Sequence, residues 1–332
     1  MRHRGPGPAY YVPMWTACLR WIGAAALAAP LACRTDRGPG SDASDPSSPA
    51  TPRSGPASRA ASAPAGGPSS RPSAAAARAR AGRARLVESE AGRLVARSIA
   101  AHGGLDAWYA ASALRFRYDY RPVAGERRRF DQVVDLLSAR AYLEVTHPVK
   151  GRFAWDGVEA WRAIEGGAPF PARFWALTPY YFVGMPFVLS DPGVNLAIVD
   201  EPPEAAGLPD DARVVEATFD PGTGDAPDDY YVLYLSAEDD RLLALRYVVS
   251  YAPFLREGMR HTPEKLLVYS APTLVGGLRL YRRHTFYAFG DGRRGDEVTE
   301  AMVEGLEAGV EFDEARLERP PGAVVDRALE AP

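Results

Sequence analysis

The chain has 332 residues and a formal net charge of −3, but its two signs are segregated: residues 1–33 carry three arginines and no acid, residues 34–85 nine arginines and three aspartates, and residues 86–332 a charge of −12. An acidic body on a basic leader excludes nucleic acid as the body's main partner. Only two cysteines occur, Cys18 and Cys33, both near the N-terminus, so the body has neither a disulfide nor a thiolate metal site. His3, His102, His147, His261 and His284 are spread thinly, and no HExxH, CxxC, GxSxG or P-loop pattern is present. The expectation is a protein without cofactor or metal, and not an enzyme.

In chain order, residues 14–33 read MWTACLRWIGAAALAAPLAC. Arg20 supplies a positive flank, a short apolar run follows, and small residues lead to Cys33: the layout of an export signal, too short for a membrane span of about 20 apolar residues. "PLAC" at 30–33 resembles the lipobox of bacterial lipoproteins, which implies lipidation of Cys33 and a membrane anchor there. Residues 34–85 are almost entirely Ser, Ala, Pro, Gly and Arg, with no large apolar residue between Leu31 and Leu86. Such a segment buries too little to offset its chain entropy and is expected to be a disordered linker. As a flexible coil it spans on the order of 40 Å.

The body is expected over 86–332. Residues 86–101, LVESEAGRLVARSIAA, have a helical composition and a modest apolar stripe, ended by His102-Gly103-Gly104. A second short helix, LDAWYAA, follows. Then the period changes to two: Leu114, Phe116, Tyr118 and Tyr120 alternate with Arg115, Arg117 and Asp119, a half-buried strand with one aromatic face. Phe130–Leu137 and Arg140–Val145 read as a strand pair, and "GRFAWDGVEAWRAI" as a hairpin turning at Asp156-Gly157. Further strands are NLAIVD, RVVEATFD, DYYVLYLS, LLALRYVVSYA, KLLVYSA and LRLYRRHTFYAF, with tight turns at Ser236–Asp240 and Val275–Gly277. VTEAMVEGLEAG is helical by composition, but its place in the series favours a closing strand.

About ten or eleven consecutive strands with short connections predict one antiparallel meander, which curls because each strand twists on its neighbour. Its concave face needs a cover. "FWALTPYYFVGMPFVLSDPG", residues 174–193, crowds aromatics between three prolines and two glycines. It is expected to make a helical turn or two over Trp175–Met185, with Pro179 in the first turn and Gly184 and Pro186 at the end. The fold class is mainly β (α+β): a curled antiparallel half-barrel with short lid helices.

"IAAHGGLDAWYAASALRFRYDY", "WDGVEAW", "TPYYFVGMPFVLSDPG" and "LLVYSAPTLVGGLRL" resemble blocks of bacterial lipoproteins related in shape to the outer-membrane lipoprotein carriers LolA and LolB. The resemblance covers roughly residues 86–325. It implies a half-open barrel lidded by short helices, an apolar cavity that receives acyl chains, and a place in the cell envelope, at the outer membrane or facing the periplasm. Against the carriers this chain has extra acidic loops at Pro202–Asp211 and Asp220–Asp229.

The first expected function is binding of a lipid or other apolar ligand. Its expected lining is Phe116, Tyr118, Phe153 and Trp155 from the sheet with Trp175, Tyr181, Phe182, Met185 and Phe187 from the lid. Arg282 and His284 alternate onto one strand face with Leu280 and Phe286, where they would grip an anionic headgroup, joined by Arg246 and His261. A docking lipoprotein with a solid core is the alternative, and no specific protein partner is implied. No nucleophile–base pair is evident at Ser250 or Ser270, which leaves an enzyme the weakest reading. The protein is expected to be a monomer.

Overall fold

The computed structural model describes residues 71–167, 171–200, 207–221, 223 and 228–326. The expected export signal, Cys33 and residues 34–70 of the expected linker lie outside them. Arg71–Leu86 corrects the linker's other end: it is a helix, α1, and it belongs to a unit that begins at Pro68. Pro72 sits in its first turn, where a missing N–H costs nothing, and alanine-rich sequence carries the helix onward. Ala75, Ala79, Gly82 and Leu86 recur at helical spacing and are buried. Helix α2 (Glu90–Ala101) is capped by the Ser89 hydroxyl, which accepts from Gly92 N at 2.9 Å. Helix α3 (Gly104–Ala110) follows at once. Between them Gly103 has φ 115°, and a Cβ there would stand 2.4 Å from the Gly277 carbonyl oxygen, so only glycine lets the helices dock on that hairpin.

Among the described residues thirteen strands form one antiparallel sheet. The first five are β1 (Ala113–Pro122), β2 (Arg128–Asp135), β3 (Ala141–His147), β4 (Gly151–Trp155) and β5 (Ala160–Ile164). After helix α4 (Ala172–Gly184) come β6 (Val194–Ile198), β7 (Arg213–Phe219), β8 (Tyr231–Leu235), β9 (Leu242–Tyr247), β10 (Lys265–Val275), β11 (Leu278–Gly290), β12 (Arg293–Ala308) and β13 (Val324–Asp326). The spatial order is β13-β5-β4-β3-β2-β1-β12-β11-β10-β9-β8-β7-β6. The strand count thus exceeds the ten or eleven expected. VTEAMVEGLEAG is strand, the C-terminal half of β12, and it pairs with β1 at the centre of the sheet rather than closing an edge.

This order dictates the cover. The chain finishes its first meander at β5 and restarts at β6, the opposite edge, so α4 and the segment after it, through Gly193, cross the inner face. Every inward position of that crossing is therefore opposite sheet, which is why it is apolar. Helix α4 begins at Ala172, earlier than expected, and Pro179 lies inside it rather than in its first turn. The Gln132 amide of β2 donates to the Ala176 carbonyl at 2.7 Å, tying the turn before the proline to the sheet. Gly184 ends the helix against Trp108, and a 3-10 turn (Phe187–Ser190) leads to Gly193, φ 80°, and into β6. One continuous core of inward side chains lies between the sheet, α1–α3 and α4, and a smaller cluster around Val232, Tyr234 and Leu266 lies on the outer face.

Candidate functional site

The inner face is filled unevenly. Under the N-terminal part of α4, large rings from β1–β4 meet one another and the lid. Trp175 stands edge-on to Tyr120 at 5.3 Å and to Phe130 at 5.8 Å, and Phe130 meets Phe153 at 6.1 Å. Near the helix end, Phe187 stacks on Trp108 with centroids 4.6 Å apart and planes 3° from parallel. On the other half of the sheet the packing is incomplete and leaves a cavity of about 140 Å³. Its lid side is Phe174, Leu177, Thr178, Tyr181, Phe182 and Met185; its sheet side is Phe219, Tyr231, Tyr247, Val249 and Tyr251; Val188, Leu189 and Val194 close one end. Its polar side chains other than the tyrosines are Arg173, Thr178, Asp191, Thr223 and Asp229.

Of the lining expected from sequence, Tyr181, Phe182 and Met185 stand on this wall. Phe116, Tyr118, Phe153, Trp155, Trp175 and Phe187 do not; they are buried in the packed half. Their strand faces were legible from period-two alternation, but whether facing rings touch depends on what stands across from them. The missed wall residues, among them Phe219, Tyr231, Tyr247 and Tyr251, carried no local signal that set them apart from other apolar positions.

The expected polar pair separates. His284 is wholly buried between the rings of Tyr269, at 5.1 Å, and Tyr118, at 6.0 Å, and neither ring nitrogen has a hydrogen-bond partner among the described residues. Burial alone pushes it down to about 3, so it is neutral at physiological pH. Arg282 is exposed, as is Arg283. The alternation slips there: Leu280, Tyr281, His284 and Phe286 are the buried positions, opposite a partner strand whose Ala271 has φ 52°. Arg246 points to the outer face, over the Phe289 ring and 3.6 Å from Glu264, and His261 is exposed, so neither joins His284. His284 therefore sits in core, with no polar cleft converging on it among the described residues.

Two carboxyls on the cavity wall are perturbed. Burial pushes Asp229 up to about 6, with the Asp228 charge adding to it, against the Ser250 backbone N–H that it accepts and the His261 charge. Burial also raises Asp191, opposed by the Arg78 guanidinium at 2.8 Å and by the Tyr109 hydroxyl, which donates at 3.2 Å. These two bonds, with the Arg85 guanidinium on the Ser190 carbonyl, fasten the end of the lid to α1 and α3. No cluster of three or more metal-ligating side chains occurs among the described residues. A second, larger groove of about 670 Å³ lies between α2 and β6–β7, but its walls carry Arg93, Arg97, Asp210, Asp211 and Arg213 and suit water better than an apolar guest.

No family model and no curated protein matches the sequence. Solved structures do. A LolA superfamily protein from Nitrosomonas europaea is 10% identical over 69% of this chain and 97% of its own, with a TM-score of 0.45. A domain provisionally assigned to an outer membrane lipoprotein-sorting protein from Vibrio parahaemolyticus is 9% identical over 68% and 94%, with a TM-score of 0.41. An uncharacterized conserved protein from Thermus thermophilus is 12% identical over 70% and 96%, with a TM-score of 0.28. The likeness is one of fold alone: an open, curled antiparallel sheet under short helices, similar to structures of the LolA superfamily, with no ligand assigned by it.

Proposed function

We propose that the chain is a membrane-tethered envelope lipoprotein, anchored through Cys33, that binds an apolar or acyl-chain ligand between α4 and β7–β9. The cavity of about 140 Å³ with a wall of aromatic and aliphatic side chains carries this reading. Engineered apolar cavities of about 150 Å³ accept a small apolar guest, and this partly open hollow is of similar size. It is smaller than the roughly 300–1,000 Å³ of complete ligand pockets. The cavity therefore takes one end of an acyl chain, or a whole chain once Phe182 and its neighbours on α4 move. Binding, rather than catalysis, is what a wall of rings with few polar groups supports.

Native mass spectrometry of the purified protein tests the reading directly. Co-purified lipid, or uptake of a fluorescent fatty acid that Val249→Trp abolishes by filling the void, is the expected result; a consistently empty protein that takes up neither sinks it. Fatty-acid labelling lost in Cys33→Ala supports the anchor, and unchanged labelling rejects it. A docking lipoprotein with a solid core is the second reading, favoured by the filled half of the sheet around Phe130 and Trp175. A filling substitution that leaves the protein's cellular role intact would select it.

A further inference from the structure

Residues 127–129 are three consecutive arginines at the start of β2. Arg127 reaches Asp119 on the outer face, which also holds Arg121. Arg128 faces the other way. It shares the inner face with Phe130 and Gln132 and pairs across the strands with Tyr120. Only 8% of it is exposed.

A guanidinium taken out of water needs an anion, or several good acceptors, to replace its hydration. Arg128 has neither. Its bond is to the Glu126 backbone carbonyl at a long 3.4 Å, and its guanidinium lies 5.3 Å over the Trp175 ring. It makes no ion pair among the described residues, and Glu126, the acid nearest in sequence, is exposed. A ring face and one stretched bond return less than burial of the ion costs. Among the described residues it is the one buried arginine, and it stands over Trp175 at the edge of the packed half. Burial accordingly lowers its affinity for the proton, with only Tyr120 and Glu126 opposing.

Its position links it to the cavity. The indole under Arg128 belongs to Trp175, which meets Phe174 edge-on at 5.5 Å, and Phe174 lines the cavity wall. We infer that Arg128 is an anion-binding residue beside this hollow, and that the ligand is an amphiphile whose carboxylate or phosphate head lies on Arg128 while its tail, displacing the Trp175 ring, passes Phe174 into the void. The guanidinium offers two parallel N–H donors that match either head in a bidentate fashion. The placement of the tail rests on the proposed apolar site; the anion site does not.

Calorimetric titration of the full chain with octanoate, octanol and inorganic phosphate separates the two. Octanoate is expected to bind at least tenfold more tightly than octanol, and Arg128→Gln is expected to bring octanoate down to the octanol value, while Arg128→Lys keeps part of the difference. Equal affinities in the wild type, or a difference that survives in Arg128→Gln, overturn the inference and leave the apolar site standing. If neither octanoate nor octanol binds, the apolar site is what fails. Phosphate binding lost in Arg128→Gln then still supports the anion site, and absent phosphate binding overturns it. Removing an uncompensated buried charge should leave the melting temperature unchanged or raised. A clear drop would mark Arg128 as a structural prop and also overturn the inference.

Discussion

Asp229 and His284 show how burial treats a titratable group that lacks a counter-charge. The Asp229 carboxyl binds its proton more tightly folded, at about 6, than in the unfolded chain, near 3.8. Between those values the folded state holds more protons, so this group's contribution to stability is greatest at low pH and is lost as pH rises through 6. The loss is on the order of 2 kcal/mol after allowance for its partial contact with solvent. Chemical denaturation from pH 4.5 to 7.5 should show it, and Asp229→Asn, which keeps an acceptor for the Ser250 N–H, should flatten that slope; an unchanged slope would assign the effect elsewhere. His284 needs a different test, because it stays neutral over that whole range. With both ring nitrogens unpartnered among the described residues, His284→Leu removes desolvated polar atoms and should be neutral or stabilising by about 1 kcal/mol. A cost above about 2 kcal/mol would mean that the imidazole makes a bond of real worth. The sequence disclosed that His284 faces inward, since its strand alternates. It did not disclose that Arg282, two residues away, turns outward, because that slip arises where β11 meets the irregular backbone of Ala271 on β10. Arg128 was hidden for a related reason: in a run of three arginines nothing local says which one the pleat turns inward.

At the scale of elements, the lid is held by bonds from sheet side chains to its backbone as well as by packing. Gln132 donates to the Ala176 carbonyl and Tyr269 to the Phe182 carbonyl, at 2.7 and 3.1 Å. The two anchors bracket Pro179, where the helix loses an internal bond, so the weakest turn of α4 is the one most firmly tied. Removing the Tyr269 anchor leaves its ring in place but frees the end of the helix next to the cavity. Tyr269→Phe is therefore expected to cost about 1 kcal/mol and to raise amide exchange in residues 180–186 well above the change in β10. Equal acceleration in lid and sheet would show that the lid has no opening of its own. The existence of the lid was legible in its crowding of rings between prolines, and the strands in their alternation and turn residues. The start of α4 was not, because Ala172–Phe174 becomes helical through burial against β4 and β5, a tertiary effect without a local cap. The identity of β12 was equally hidden: its Ala, Met and Glu composition favours helix, and only pairing with both β1 and β11 decides for strand.

For the whole molecule, the decisive feature is that the sheet's first and last long strands meet at its centre while its two meanders run outward to opposite edges. One chain crossing then suffices to cover the inner face, and α1–α3 complete the cover from the N-terminal side. Helix α1 is the part that composition concealed. Its Ala, Arg, Gly, Pro and Ser residues read as linker, although alanine is the best helix former and Ala75, Ala79, Gly82 and Leu86 already had the 3.6-residue period. In the structure that face packs on α2, α3 and the 187–190 turn, and Arg71 pairs with the buried Asp135 at 2.9 Å while Arg78 pairs with Asp191. The proposed membrane tether would pull first on a helix that fastens the lid. A chain beginning at residue 87 loses the Leu86 and alanine contacts and leaves Asp191 without its guanidinium beside an apolar void. It should be less stable by about 3–5 kcal/mol, lowering its melting temperature by roughly 10 °C relative to one beginning at residue 68. Tyr181 and Phe182 should also become more accessible to quenchers, since the 190–191 end of the lid then loses its two arginine bonds and keeps those from Tyr109. If the two chains melt together and protect the lid equally, α1 is an ornament on the sheet and the coupling of tether to lid fails.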